Sequence, residues 1–225
     1  MNFEGAIFDV DGTILNSMEI WEEAGRMYLE SKNIRISTIQ RYEEIRGNFR
    51  TMTIGEAARY CRETFGIEDS QEKIVDDINN VVEEYYFFKA KPKNNVIEFL
   101  DCLQNMGIPM TVATATDRYL VEKALKNNKM HDYFKGIYTC SEVGLGKSSP
   151  EIYLRAAEHM RTEPEKTVVF EDAIYAAVTA KEAGFKVVGI EDIYERESEY
   201  MRDLVHIYLE NFNDVHSIVE KIKEL

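Results

Sequence analysis

A chain of 225 residues, 44% hydrophobic and 30% charged, has an ordinary soluble balance and can bury a sizeable core as one large domain or two modest ones. Its formal net charge of −14, from 41 acids against 27 lysines and arginines, argues against nucleic acid and against an anionic membrane surface, since both demand a basic footprint. No apolar run reaches the length of a membrane span, the start Met1-Asn2-Phe3-Glu4 carries no basic leader, and Cys61, Cys102 and Cys140 lack metal-type spacing, so a cytoplasmic chain with reduced thiols is expected.

The run Ala6-Ile7-Phe8 reads as a buried strand that delivers two carboxylates two residues apart, Asp9 and Asp11. Gly12 follows, where the chain can turn sharply. Asn16 or Ser17 then caps a helix to about Ser31, with Ile20, Trp21, Ala24, Met27 and Tyr28 at helical spacing. Three more helices are expected, over about 38–46 with Gly47 ending it, about 51–65 with Gly66 ending it, and about 70–89. No strand is expected between Asn16 and Lys91.

From Pro92 the pattern alternates. A helix over 93–106 leads into a strand over 108–114, and a helix from about Asp117 into a short strand near 136–139. A helix over 149–160 precedes a strand over 167–170, which runs into Glu171-Asp172. A helix reaching Gly184, a strand over 186–190, a weak strand over 206–209 and a helix over 214–223 close the chain. Strands joined by helical crossovers predict an α/β fold with a doubly wound, mostly parallel sheet. The first strand is separated from the others by helices alone. The expected division is therefore an α/β core, 1–15 and 91–225, and an inserted all-helical cap, 16–90.

In open α/β sheets ligands bind outside the carboxyl ends of strands. Asp9 and Asp11 end the first strand here, and Thr114-Ala115-Thr116 ends the second. Gly144-Leu145-Gly146-Lys147 follows the third, and Glu171-Asp172 ends the fourth. Acids, a hydroxyl and an ammonium converging on one sheet edge suit phosphoryl transfer assisted by Mg²⁺, which is mainly positioning and charge neutralisation. Thr116 and Asp117 are better placed than Thr114 to cap the helix that follows them.

At these points the chain resembles the haloacid dehalogenase superfamily, most closely the phosphatase and β-phosphoglucomutase branch with a small helical cap after the first motif. Phe8-Asp9-Val10-Asp11-Gly12-Thr13 matches the first motif and Thr114 the second. Lys147, with Pro150 and Tyr153 beyond it, matches the third, and Val169-Phe170-Glu171-Asp172-Ala173 the fourth. The resemblance implies a Rossmann-like core and hydrolysis of a small phosphorylated metabolite. Asp9 would be the nucleophile and a Mg²⁺ ligand. Asp11 would be the acid/base, with its backbone carbonyl on the metal. Thr114 and the Ala115 N–H would hold phosphoryl oxygens, Lys147 would neutralise charge, and Asp172 with Glu171 would complete the metal shell. In the cap, Arg50 fits a substrate-binding arginine.

Three positions depart from the family pattern. Ala173 and Tyr175 stand where Ser and Gly are usual, and Ser148 replaces a proline. Trp21 occupies the place of the histidine that couples cap closure to acid/base chemistry in the mutase branch, and it is also a candidate substrate platform. That favours a phosphatase over a sugar-phosphate mutase. A non-enzymatic phospho-acceptor of the receiver type is a remote third reading. The oligomeric state is unreadable from the sequence, and a monomer is compatible with it.

Overall fold

The computed structural model describes residues 3–195 and 198–225, with the side chains of residues 50, 51 and 198 left out of the description. The elements in chain order are β1 (Gly5–Phe8), β2 (Leu15–Asn16), α1 (Met18–Ser31), α2 (Ile39–Thr51), α3 (Ile54–Phe65), α4 (Gln71–Phe88), β3 (Lys91–Pro92) and α5 (Val96–Asn105). There follow β4 (Met110–Thr114), α6 (Arg118–Asn127), β5 (Phe134–Thr139), α7 (Cys140–Val143), α8 (Glu151–Met160) and β6 (Thr167–Glu171). The last are α9 (Ile174–Glu182), β7 (Lys186–Ile190), α10 (Ser198–Leu204), β8 (Ile207–Leu209) and α11 (Val215–Lys223).

Six strands form one sheet in the order β5-β4-β1-β6-β7-β8, and every pairing in it is parallel. A parallel sheet covered on both faces needs strands that are apolar on both faces. Gly5–Phe8 in β1 and Thr167–Glu171 in β6 are buried throughout, as that rule requires. Phe8 stacks on Phe170 of the neighbouring strand at 4.4 Å between ring centroids, and Phe99 of α5 closes over the pair edge-on.

β1 lies at the centre, between β4 and β6, so its carboxyl end is flanked by those of both neighbours. The chain turns back immediately after it. Ile14 and Leu15 both donate backbone N–H groups to the Val10 carbonyl, and Gly12 N–H donates to Leu15 O. β2 then pairs antiparallel with β3, Leu15 opposite Pro92 and Asn16 opposite Lys91, a two-strand ribbon through which the chain leaves the sheet and returns. Strands of two residues have no periodicity, which is why the sequence reading put none at Asn16 or Lys91.

Between these strands lie four helices and, among the described residues, no strand. Thr53, not Thr51, opens α3, because its side chain and that of Glu56 form a reciprocal capping box. Gly66 ends α3 in the left-handed region at φ 65°. Gly47 does not end α2, which runs on to Thr51. α1 and α2 pack closely because Gly25 has no side chain: a Cβ there would fall 2.7 Å from Ile45 Cγ2 and 2.8 Å from Phe49 Cδ2. Among the described residues no helix is long and apolar enough to cross a membrane.

The helical insert is tied to the sheet domain mainly through α4 and α6. Asn79 Nδ2 donates to Asp117 Oδ2 at 2.6 Å, and Asn127 Nδ2 donates to the Phe87 carbonyl at 2.6 Å. Tyr119 packs edge-on against Phe87, with the Lys123 ammonium over the same ring.

Candidate active site

Asp9 leaves β1 with its backbone N–H donating to Phe170 O at 3.0 Å, so the sheet ladder itself fixes where its side chain begins. Its carboxylate meets Lys147, which the short α7 and the Gly144 turn carry over the end of the sheet. The Lys147 ammonium, 4% exposed, donates to Asp9 Oδ1 and to Glu171 Oε1 at once. Glu171 Oε1 also accepts from Tyr153 Oη at 2.8 Å, which pins the lysine's second partner from α8.

Asp172 approaches from the other side. Thr13 Oγ1 donates to its Oδ1 at 3.0 Å. Gly12, at φ 79°, makes room for it: a Cβ there would lie 2.2 Å from Asp172 Oδ2. Asp9, Glu171 and Asp172 each present a carboxylate oxygen within 4.8 Å of the others, and all three are buried.

The electrostatics follow from burial. Asp9 is pushed up to about 6, by loss of water first, with Lys147 pulling the other way and Glu171 adding repulsion. Asp172 is raised well above the ordinary carboxylate range by burial and then by Asp9, Glu171 and Asp192. Burial works against charge on Lys147, but Asp9 and Glu171 outweigh it and hold the ammonium protonated. Three buried carboxylates, Asp9, Glu171 and Asp172, thus share one buried ammonium. Such a surplus of hard oxygen donors is what a divalent cation relieves, and these residues fit one.

Asp11 has surroundings of its own. Ser17 Oγ donates to Oδ1 at 2.5 Å, Tyr86 Oη donates to the same oxygen, and Thr116 Oγ1 donates to Oδ2 at 2.7 Å. The Tyr86 oxygen in turn accepts from Trp21 Nε1 at 2.7 Å. Burial and then the Asp9 charge raise Asp11 above its usual value, while the three hydroxyls favour its anion.

These groups floor a chamber roofed by the helical insert. Asp9, Asp11, Ala115, Thr116, Lys147, Glu171 and Asp172 line it from the sheet side. Thr114 is fully buried beneath them, and its Oγ1 accepts the Thr116 N–H at 3.1 Å, a local turn contact. Thr116, one of two candidates to cap α6, instead donates its hydroxyl to Asp11. Asp117 is the residue at that helix start, and its side chain makes no cap bond; it accepts from Asn79 and Ser141 instead. Ser17 stands at the start of α1, likewise without a capping bond, because its hydroxyl goes to Asp11. Trp21 lines the chamber, and Arg50 lies in the last turn of α2 with its side chain outside the described residues. Sequence reading missed Tyr86 and Ser17 as site neighbours; it placed Thr116 at the sheet edge and Tyr153 in the third motif, without their contacts to Asp11 and Glu171.

Comparison with known proteins gives this geometry a family. A family model described as "Haloacid dehalogenase-like hydrolase" matches residues 6–190. Among curated proteins, a phosphorylated carbohydrates phosphatase of Thermotoga maritima is 28% identical over 183 residues, covering 81% of this chain and 82% of that protein. A validoxylamine A 7'-phosphate phosphatase of Streptomyces hygroscopicus subsp. limoneus is 27% identical and covers 87% of this chain and 89% of its own length. Among solved structures, β-phosphoglucomutase from Clostridium difficile shares the fold at TM-score 0.79 and 18% identity, over 99% of this chain and 98% of that one. The chain belongs to the haloacid dehalogenase-like hydrolases.

Proposed function

We propose that this protein is a Mg²⁺-dependent phosphatase that hydrolyses a small phosphorylated metabolite through an aspartyl-phosphate on Asp9. The observation that carries the reading is the Lys147 ammonium bridging Asp9 and Glu171 at the sheet edge, beside an Asp11 held by separate donors. Residues 16–90 act as the cap and residues 1–15 with 91–225 as the catalytic core, the β2–β3 ribbon being the root of the cap. The phosphatase names of the relatives support hydrolysis of a phosphoric monoester.

In this reading an Asp9 carboxylate oxygen attacks phosphorus, and the bond from phosphorus to the ester oxygen breaks. Asp11 delivers a proton to that oxygen, and the alcohol leaves. Asp11, now ionised, takes a proton from water as the water oxygen attacks the aspartyl-phosphate. Inorganic phosphate departs and Asp9 is regenerated. Lys147, with Thr114 and the Ala115 N–H, offsets charge on the phosphoryl oxygens. Asp9, Asp172, the Asp11 carbonyl and, directly or through water, Glu171 would hold the metal. Bound there, Mg²⁺ supplies positive charge to the nucleophile and the phosphoryl oxygens.

Hydrolysis is favoured over mutase chemistry because Trp21, not a histidine, stands beside Tyr86 and Asp11. The test is p-nitrophenyl phosphate turnover with Mg²⁺ or EDTA, in the wild type and in Asp9→Asn. Turnover that needs Mg²⁺ and vanishes in Asp9→Asn supports the proposal. Equal activity in both proteins overturns it.

A further inference from the structure

The chamber over Asp9 is divided by chemistry. Its floor carries the charge, on Asp9, Asp11, Lys147, Glu171 and Asp172. Its roof, among the described residues, is Met18, Trp21, Phe49, Met52, Ile54 and Ala57, contributed by α1, α2, α3 and the turn between α2 and α3. The one side-chain nitrogen or oxygen among these six residues, Trp21 Nε1, already donates to Tyr86 Oη at 2.7 Å. On the sheet side Ala173 and the Tyr175 ring continue the same apolar wall, with the Tyr175 hydroxyl as its one polar tip.

A phosphoryl group bound on the charged floor directs its ester oxygen and alcohol toward this roof. The several hydroxyls of a polyol would give up water there and meet thioether, indole and alkyl surface, with the Tyr175 hydroxyl beside the roof as the one side-chain partner outside the charged floor among the described residues. An apolar or aromatic alcohol gains from the same burial. Trp21, Phe49 and Tyr175 offer ring faces and edges to a planar group, and Met18 and Met52 adapt around it.

We propose that the preferred substrate is the phosphate monoester of an apolar, ring-bearing alcohol, not of a sugar or polyol. This rests on the phosphatase reading of the same site. The reaction is unchanged: water is consumed, the phosphorus–oxygen ester bond breaks, and the alcohol and inorganic phosphate are released.

The test compares kcat/KM with Mg²⁺ for phenylpropyl phosphate, sorbitol phosphate and p-nitrophenyl phosphate. Both alkyl esters have poor leaving groups, and the sorbitol hydroxyl is the better of the two, so intrinsic reactivity works against the expected order. Phenylpropyl phosphate should exceed sorbitol phosphate by about tenfold or more, roughly 1.4 kcal/mol, mainly through a lower KM. Met52→Gln, close in volume, should narrow that ratio by raising KM for the phenylpropyl ester. An equal or reversed ratio in wild type that hydrolyses p-nitrophenyl phosphate overturns this inference and leaves the phosphatase reading intact. A ratio unchanged in folded Met52→Gln overturns the assignment of specificity to the roof. No turnover of any of the three esters overturns the phosphatase reading and this inference together.

Discussion

Tyr86, in the last turn of α4, donates its hydroxyl hydrogen to Asp11 Oδ1 across the seam between the helical insert and the sheet domain. The phenol is 1% exposed, and burial followed by the Asp11 charge raises its pKa well above the usual value, so it remains a donor. The contact joins the proposed acid/base to the insert's longest helix.

Tyr86→Phe should therefore impair proton delivery to the leaving oxygen more than phosphate binding. A hydrogen bond to a charged group is worth about 1.5–3 kcal/mol, so kcat for alkyl phosphates should fall roughly 10- to 100-fold. Turnover of p-nitrophenyl phosphate, whose phenolate leaves without a proton, should fall much less. A series of esters with graded leaving-group basicity checks this. A uniform loss across the series would mean that the phenol only holds the fold.

Much of this architecture is legible in the sequence. Parallel buried strands leave near-continuous apolar runs, such as Thr167–Phe170, and each run ends where a charged or hydroxyl side chain begins. Elements without a pattern were not legible. β2 and β3 have two residues each, and α7 has four. Gly47 read as a helix end, yet it lies inside α2, where a Cβ would meet nothing within 4 Å and the cost of glycine is only about 1 kcal/mol. The donors to Asp11 were hidden for a different reason. Ser17, Tyr86 and Thr116 are common residue types from three distant segments, and only folding assembles them on one carboxylate.

The cysteines supply a prediction independent of catalysis. Burial pushes the Cys61 thiol up to about 12 and the Cys140 thiol up to about 11. Thiolate is the reactive form, so neither should react with a disulfide reagent at pH near 8 while the chain is folded. Cys102, half-buried on α5, should react alone, and all three should titrate in denaturant. The shift also fixes a sign for stability. Between the ordinary thiol value of 9.0 and about 12, the unfolded chain loses the Cys61 proton while the folded chain keeps it. The Cys61 contribution to stability should therefore fall as pH rises through that window, and Cys61→Ala should lessen the alkaline loss.

Gly12→Ala tests the close approach of the turn to Asp172. The backbone at φ 79° disfavours any side chain, by roughly 1–2 kcal/mol, and a Cβ 2.2 Å from Asp172 Oδ2 forces that carboxylate to move. A melting temperature lowered by roughly 2–8 °C is expected. Because Asp172 is displaced, activity should fall further than the melt alone explains, with a higher Mg²⁺ concentration needed for half-maximal rate. Thermal melts and a Mg²⁺ titration separate the two effects.

Metal binding can be read without any substrate. Asp9, Glu171 and Asp172 are buried together, and Lys147 offsets only part of their charge. A ligand that binds only the folded chain stabilises it by about 2.7 kcal/mol at a hundred times its Kd. For a chain of this size that corresponds to a melting temperature higher by about 5–10 °C. Mg²⁺ should give this rise in wild type, and potassium chloride at matched ionic strength should not. Asp172→Asn removes one carboxylate charge and with it most of the repulsion the metal relieves. Its melt without metal should lie at or above that of wild type, and the Mg²⁺-dependent rise should shrink to a degree or two. An undiminished rise in Asp172→Asn would place the ion elsewhere and remove Asp172 from the ligand set.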